Sequence, residues 1–222
     1  MCQCKSKINY IMGKINTKNG QLSGSIGHLV YATWKGKPYV RSKPMRDYSK
    51  QSDKQKSNRS RFGIAAEFIG KILPYIRIGY RMDTVDKSAY NAAVGYVTKY
   101  GIKGEKGSYE LDYENIHVSR GVLCPPKIAK VLVEDNILAF TWENNAGMGD
   151  AKSDDRAIPL VFNTRIQQGL YDLEILTLRS DECVNVELPE SWRNDTCVAY
   201  LAFVSLQDNN VSNSLYFELN PK

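Results

Sequence analysis

Histidine is almost missing from this chain: 222 residues hold two, His28 and His117, and they follow no metal-ligand spacing. A catalyst needing an acid or a base would have to use carboxylates instead. Cysteine is sparse and set in no framework. Of five, Cys2 and Cys4 form a C-x-C pair, Cys124 stands alone, and Cys183 and Cys197 fall in two strand-like runs. An odd count without framework spacing reads as reduced thiols in a cytoplasmic protein, and not as a disulfide scaffold or a zinc site. Long apolar runs are missing too. None nears the roughly 20 residues that span a bilayer, so no membrane insertion is expected. The opening MCQCKSKINYIMGKIN lacks an apolar stretch ahead of a small-residue cleavage site, so no secretory leader is expected. Residues 1–11 read as a flexible extension, with Met12 a second candidate start. P-loop, G-x-S-x-G, H-E-x-x-H and dinucleotide-fingerprint patterns do not occur. The expectation is a protein that is not an enzyme and uses no cofactor and no metal.

What is present begins with charge. The net charge of +6 conceals two unlike halves. Residues 1–120 carry 22 Lys and Arg against 9 Asp and Glu (+13), and residues 121–222 carry 8 against 15 (−7). A basic half of this kind meets an acidic partner: nucleic acid, another protein, or the acidic half of a neighbouring copy. A hydrophobic share of 42% supplies a core for one large domain or two small ones.

Along the chain, IGHLVYATW and KPYVRS read as two strands of a hairpin joined through Lys35 and Gly36. MRDYSKQSDKQKSNRSR has no apolar period and reads as a solvated linker or arm. Phe62, Ala65, Ala66, Ile69, Ile72 and Leu73 recur at spacings of three and four, one face of a helix that Pro74 ends or kinks. Ala89, Ala92, Ala93, Val97 and Tyr100 line a second helix, stopped at Gly101. Pro125 and Pro126 in LCPPK interrupt any regular element. Beyond them come seven strand-like runs: IAKVLVE, ILAFTWE, IPLVFN, LYDLEILTL, CVNVELP, TCVAYLAFVSL and SNSLYFEL. The sixth is apolar on both faces and is therefore central, and Trp142 in the second is placed between sheets. The fold class expected is α+β and mainly β. A basic hairpin–helix module over residues 12–122 precedes a seven-stranded antiparallel sandwich over 123–222, whose residues 125–222 should fold alone. The polar stretch NNAGMGDAKSDDR, with Asn144, Asn145, Asp150, Asp154 and Asp155, reads as a solvated loop sooner than a Ca²⁺ site, because Lys152 and Arg156 lie among the acids.

LPESWRNDTCVAYLAFVS followed by DNNVSNS resembles the last two strands of fibronectin type III modules, over about 95 residues. The resemblance implies an immunoglobulin-like binding or spacing module. From Met12 onward, WKGKPYVRSKP, NRSRFGIAAEFIGKILPYIRIGY, YNAAVGY, LDYENIHVSRGVL and AFVSLQDNNVSNSLYF are similar to a family of uncharacterised Bacteroidetes proteins catalogued only as a domain of unknown function. WKGKPYVRSKP and VSRG are its most specific marks. KQSDKQ stands where the family has Pro-Thr before the first helix. The resemblance implies a fold and no catalytic residues.

ATWKGKPYVRSKP carries the clearest candidate surface. Trp34, Lys35, Lys37, Tyr39, Arg41 and Lys43 put aromatics among cations, and Lys50, Lys54, Lys56, Arg59 and Arg61 follow in the arm. Such a set fits an interface anchored by aromatics or a surface that stacks bases and neutralises phosphates. The function expected is a non-catalytic structural or docking protein acting through protein contacts or self-assembly, including as part of a larger assembly or virion. The alternative is a nucleic-acid-binding protein using the hairpin and arm.

Overall fold

Four short strands come first among the described residues. The computed structural model describes residues 15–18, 21–34, 37–43, 52–83, 87–174 and 176–219. Ile15–Lys18 (β1), Gln21–Ile26 (β2), Leu29–Trp34 (β3) and Lys37–Ser42 (β4) form an antiparallel sheet in the order β1-β2-β3-β4. IGHLVYATW is thus not one strand. Gly27 takes φ +58° and with His28 turns the chain between β2 and β3, a conformation that glycine adopts without steric cost. Residues 1–11 and the joining residues 35 and 36 lie outside the described ones, while Trp34 pairs with Lys37 on either side of that joint.

The chain divides spatially into Met1–Gln51 and Ser52–Lys222. The boundary lies upstream of the prolines that composition marks, because the helices share a core with the strands that follow them. In the second unit, Ser52 opens Asp53–Lys71 (α1) with a capping box: its hydroxyl accepts from Gln55 N, and the Gln55 side chain accepts from Ser52 N. KQSDKQ is therefore a helix start, and the arm from Asp53 onward is helical. Leu73–Gly79 (α2) follows with Pro74 in its first turn, where a missing N–H costs nothing. Ala89–Tyr100 (α3) is capped by Ser88 and stops at Gly101.

The remaining strands are Ile102–Lys103 (β5), Glu110–Leu111 (β6), Lys127–Glu134 (β7), Ile137–Glu143 (β8), Arg156–Asn163 (β9), Gln168–Tyr171 (β10), Cys183–Glu187 (β11), Cys197–Ser205 (β12), Asn210–Val211 (β13) and Leu215–Leu219 (β14). β5 and β6 pair with each other. β7, β8 and β11 form one antiparallel sheet, ordered β11-β8-β7. The other runs β10-β9-β12, with β13 and β14 both pairing β12. The fold is α+β and mainly β, with three α-helices among the described residues.

β12 sits at the centre because every one of its residues is buried. Ala199, Leu201 and Phe203 join Val161 of β9, Leu138, Phe140 and Trp142 of β8, and Val184 of β11 in one apolar cluster. The Trp142 and Phe203 rings meet edge to face with centroids 5.4 Å apart, which places Trp142 between the two sheets. The opposite face of the same strands presents Ile158, Leu160, Phe162, Val198, Tyr200, Ala202 and Val204 to Ala65, Phe68, Ile69, Ile72, Tyr75, Ile76, Ala93, Val94 and Val97 of the helices. The β9–β12 sheet is the middle layer, with helices on one face and three strands on the other.

That arrangement corrects two expectations. Ala65, Ile69 and Ile72 of the expected stripe are buried, but Phe62 is 54% exposed and Phe68 is fully buried in its stead, its ring 4.9 Å from Phe162. Residues 125–222 contain nearly all of the inter-sheet cluster, but the other face of their larger sheet is covered by helices from the preceding segment. Expressed alone, that fragment should associate or remain unfolded, and a monomeric, cooperatively melting fragment by ultracentrifugation and circular dichroism would show the helical layer to be dispensable. Trp142→Ala should lower the stability of the full chain by about 3–5 kcal/mol, the range for removing a large buried aromatic, measured by urea denaturation. A loss under about 1 kcal/mol would be that of a surface site.

Candidate interaction surface

Alternation along β4 decides which of the proposed contact residues act together. Lys37, Tyr39 and Arg41 are two residues apart and share one face, with Lys43 just past the strand end; all four are exposed. Across the ladder they stand opposite Trp34, Ala32 and Val30. The second face carries Pro38, Val40 and Ser42 opposite Thr33, Tyr31 and Leu29. Val40 is 52% exposed and Tyr39 42%. Among residues 23–33 and 37–43, whose burial is described, none is buried. Lys35 and Lys50 lie outside the described residues. Residues 1–51 hold ten Lys and Arg and one acid, Asp47.

The arm residues belong to the other unit. Lys54, Lys56 and Arg59 are exposed on α1, and Arg61 is half-buried with its guanidinium 5.9 Å from the centroid of the Tyr109 ring. At 100° per residue, Lys54 and Arg61 lie on one side of the helix and Lys56 and Arg59 on another, so the four do not make one stripe. Asp53 offsets part of their charge: Lys106 bonds it at 2.9 Å and holds its carboxyl below the ordinary range. The hairpin residues and Lys54, Lys56, Arg59 and Arg61 thus belong to different units.

The polar loop NNAGMGDAKSDDR is largely exposed, as expected, but Asn145, Ala151 and Asp155 are buried. Its ends close around Arg179, a residue to which the sequence assigned no role. Arg179 is fully buried and donates to Asp155 Oδ2 (3.1 Å from Nε, 3.0 Å from Nη2), to Asn145 Oδ1 (2.6 Å) and to the carbonyl of Cys124 (2.9 Å). Its guanidinium lies 3.9 Å from the Phe203 ring centroid, and its carbonyl accepts from Trp142 Nε1 at 2.8 Å. Asn145 in turn donates to the carbonyl of Pro125. Asp150 accepts from Cys124 N and from Asn210. Asp154 accepts from Gln207, and the Asn144 side chain accepts from Ala146 N. Among the described residues, no three His, Cys, Asp or Glu gather as metal ligands. Nothing in the letters LTLRSDE marks Arg179 as buried; only the pairing of remote Asp155 with it does.

VSRG occupies a seam with a structural role. Ser119 is buried and donates to the carbonyl of Ser212 at 2.7 Å; Ser214 Oγ accepts from Val118 N; and Arg120 N donates to the carbonyl of Gly79. Gly79 has to be glycine for this approach, since a Cβ there would lie 2.5 Å from the carbonyl oxygen of Val118. Another site that sequence reasoning missed is a groove of about 470 Å³ between β10 and β11, lined by Leu170, Tyr171, Asp172, Val184, Val186 and Glu187 among others. The strand-like run LYDLEILTL hid it.

Arg179→Leu should cost about 3–5 kcal/mol, because it leaves the Asp155 carboxylate buried and uncompensated, whereas Arg179→Leu combined with Asp155→Leu should cost less than the single change. A double-mutant cycle on urea melts measures the difference, and additive losses would mean that the two side chains do not depend on each other.

No helix among the described residues is long and apolar enough to cross a membrane. No curated protein matches the chain. A family described as of unknown function, DUF6266, matches residues 20–218. The match takes in β2–β4, all three helices and nearly all of the last strand, and the chain belongs to this DUF6266 family of unknown function.

Proposed function

We propose that the protein is a non-catalytic structural or docking protein that works through protein–protein contacts, self-assembly included, as a component of a larger assembly such as a virion. The observation that carries this reading is the β1–β4 sheet, in which no residue with described burial is buried. A small sheet is stable when one face packs on something, and exposed apolar side chains such as Ile26, Tyr39 and Val40 supply a surface for it. In this reading the two larger sheets are a fibronectin-type-III-like sandwich. The strand order supports it: β7, β8 and β11 in one sheet face β9, β10, β12 and β14 in the other. Such modules more often present surfaces than active sites. The buried polar side chains of Ser119, Asn145, Arg179 and Ser214 are engaged in holding main chain, which supports a role without chemistry. Cys124, Cys183 and Cys197 are free thiols, in keeping with a cytoplasmic protein.

A second reading rests on Tyr39 standing between Lys37 and Arg41 on one exposed face. Stacking flanked by cations suits single-stranded nucleic acid, and Lys54, Lys56 and Arg59 add exposed charge on α1.

One set of variants separates the two. With Lys37, Arg41 and Lys43 changed to Gln, a docking surface should change the assembly state or partner capture, and Tyr39→Ala should do more harm still, since aromatic anchors carry interface energy. A nucleic-acid surface should instead lose affinity for labelled oligonucleotides, with the salt slope falling by about one per contact removed. Light scattering and fluorescence titration over a salt series read both. Tight, salt-sensitive oligonucleotide binding by a salt-insensitive monomer would replace the first reading with the second.

A further inference from the structure

We infer that β4 of one copy docks onto the free edge of β11 in a second copy, extending the β11-β8-β7 sheet across the chain boundary. The inference rests on the self-assembly reading above and names its surfaces.

The hydrogen-bond phase of β11 can be read from its ends. Trp142 N donates to the carbonyl of Glu182, and Leu188 N donates to the carbonyl of Asn136. Even-numbered residues therefore bond to β8, and the N–H and C=O groups of Cys183, Asn185 and Glu187 point off the sheet. β11 is the last strand in its sheet, so these groups form an open ladder. Beside it lies the groove, with Leu170, Val184 and Val186 as its apolar lining and Asp172 and Glu187 among its polar residues. Exposed Glu174, Asp181 and Glu182 stand in the same stretch of chain. An apolar trough beside an unpaired strand edge is the geometry by which sheets capture an extended segment, and its charge selects a basic one.

β4 fits that description. Among the described residues it is the last strand of the β1–β4 sheet. Lys43 N donates to the carbonyl of His28, so odd residues face β3 and the main-chain groups of Pro38, Val40 and Ser42 face outward. Pro38 spends its missing N–H on that open side and so leaves the pairing with β3 intact. Lys37, Arg41 and Lys43 oppose pairing of β4 with another β4 through like charge. The same cations match the acids of the groove. Tyr39 and Val40 point to opposite faces of β4 and both are exposed, so either docking direction lays one of them over the groove. The contact joins unlike surfaces, so it can close as a reciprocal pair or a ring, or continue as a filament.

Sedimentation velocity and light scattering of the full chain test this up to about 1 mM, the weak end of the affinity scale. The mass should rise with concentration and fall with salt. Asp172→Lys with Glu187→Lys should weaken association by about a hundredfold or more, the scale of like charges set across an interface, and Lys37→Glu with Arg41→Glu should do the same. Mixing the two variants should restore association. Asn185→Pro removes an N–H that faces away from β8, so it should block association while leaving the thermal midpoint unchanged. Alkylation of exposed Cys183, followed by peptide mass spectrometry, should slow as the wild-type concentration rises. Association that persists unchanged in every variant would overturn this docking edge and leave self-assembly standing through another surface. A wild type that stays monomeric throughout would overturn both.

Discussion

A strand buried on both faces cannot be finished by one partner, and β12 is such a strand. From Cys197 to Ser205 every residue is buried. Alternation then sends Ala199, Leu201 and Phe203 to one side and Val198, Tyr200, Ala202 and Val204 to the other. At about 25 cal/mol per Å² of apolar surface, neither side can be left wet. One is covered by β7, β8 and β11, and the other by the three helices. The layers follow from this single requirement, as does the position of the division at residue 51 instead of at the prolines. Aromatic contacts fix the covers on both sides: Trp142 on Phe203 within the sandwich, and Phe68 on Phe162 beneath the helices.

A middle layer covered twice also buries polar main chain at its margins, and buried N–H and C=O groups need partners. Two clusters supply them. At one margin Ser119, Ser212 and Ser214 bind the segment after α3 to the end of the last strand pair, while Tyr80 donates to the carbonyl of His117. At another, Arg179 gathers Cys124, Asn145 and Asp155 and lies on the Phe203 ring. An ion pair withdrawn this far from water contributes little net energy but penalises any arrangement that leaves one member alone. It therefore specifies which loop closes the sandwich. Of the two segments most specific to the family resemblance, VSRG lies in this serine seam, where it meets NVSNS. VSRG therefore has a structural role at this joint.

What the letters made legible was period. Two-residue alternation marked β7, β8, β9, β11 and β12, and spacings of three and four marked α1 and α3, with Gly101 and Pro74 at their ends. The central place of the sixth run and the burial of Trp142 followed from the same signal. Less legible were features set by neighbours remote in sequence. Phe62 and Phe68 both fit a helical stripe, and only the position of Phe162 chooses between them. Asn145 and Asp155 look solvated until Arg179, more than twenty residues away, is brought against them. The helix start was legible to within a few residues, since helical period begins near Gln55, and Ser52 and Gln55 stand at capping-box spacing. Of the candidate contact residues, β4 was readable as an exposed basic face. That Lys54, Lys56, Arg59 and Arg61 belong to the other unit was not, because the division between units leaves no mark on composition.

The groove beside β11 traces to one residue. Ala157 N donates to the carbonyl of Thr177, so odd residues of β9 face the side where β10 lies. Pro159 is odd and brings no N–H to that side. β10 keeps its register with β9 through Tyr171 opposite Leu160, and at Asp172, which would meet Pro159, the pairing stops. The chain leaves the sheet there and rejoins it at Thr177 and Leu178, opposite Ala157 and Arg156. A proline inside a sheet is expected where the ladder is already interrupted, and here the interruption opens the flank between β10 and β11. LYDLEILTL is apolar enough to read as one continuous strand, so the break is visible only from the partner strand. The same missing hydrogen bond that shortens β10 keeps it from covering the edge of β11, and so leaves an acid-rimmed, apolar-lined edge in a chain whose first 51 residues are almost free of acid.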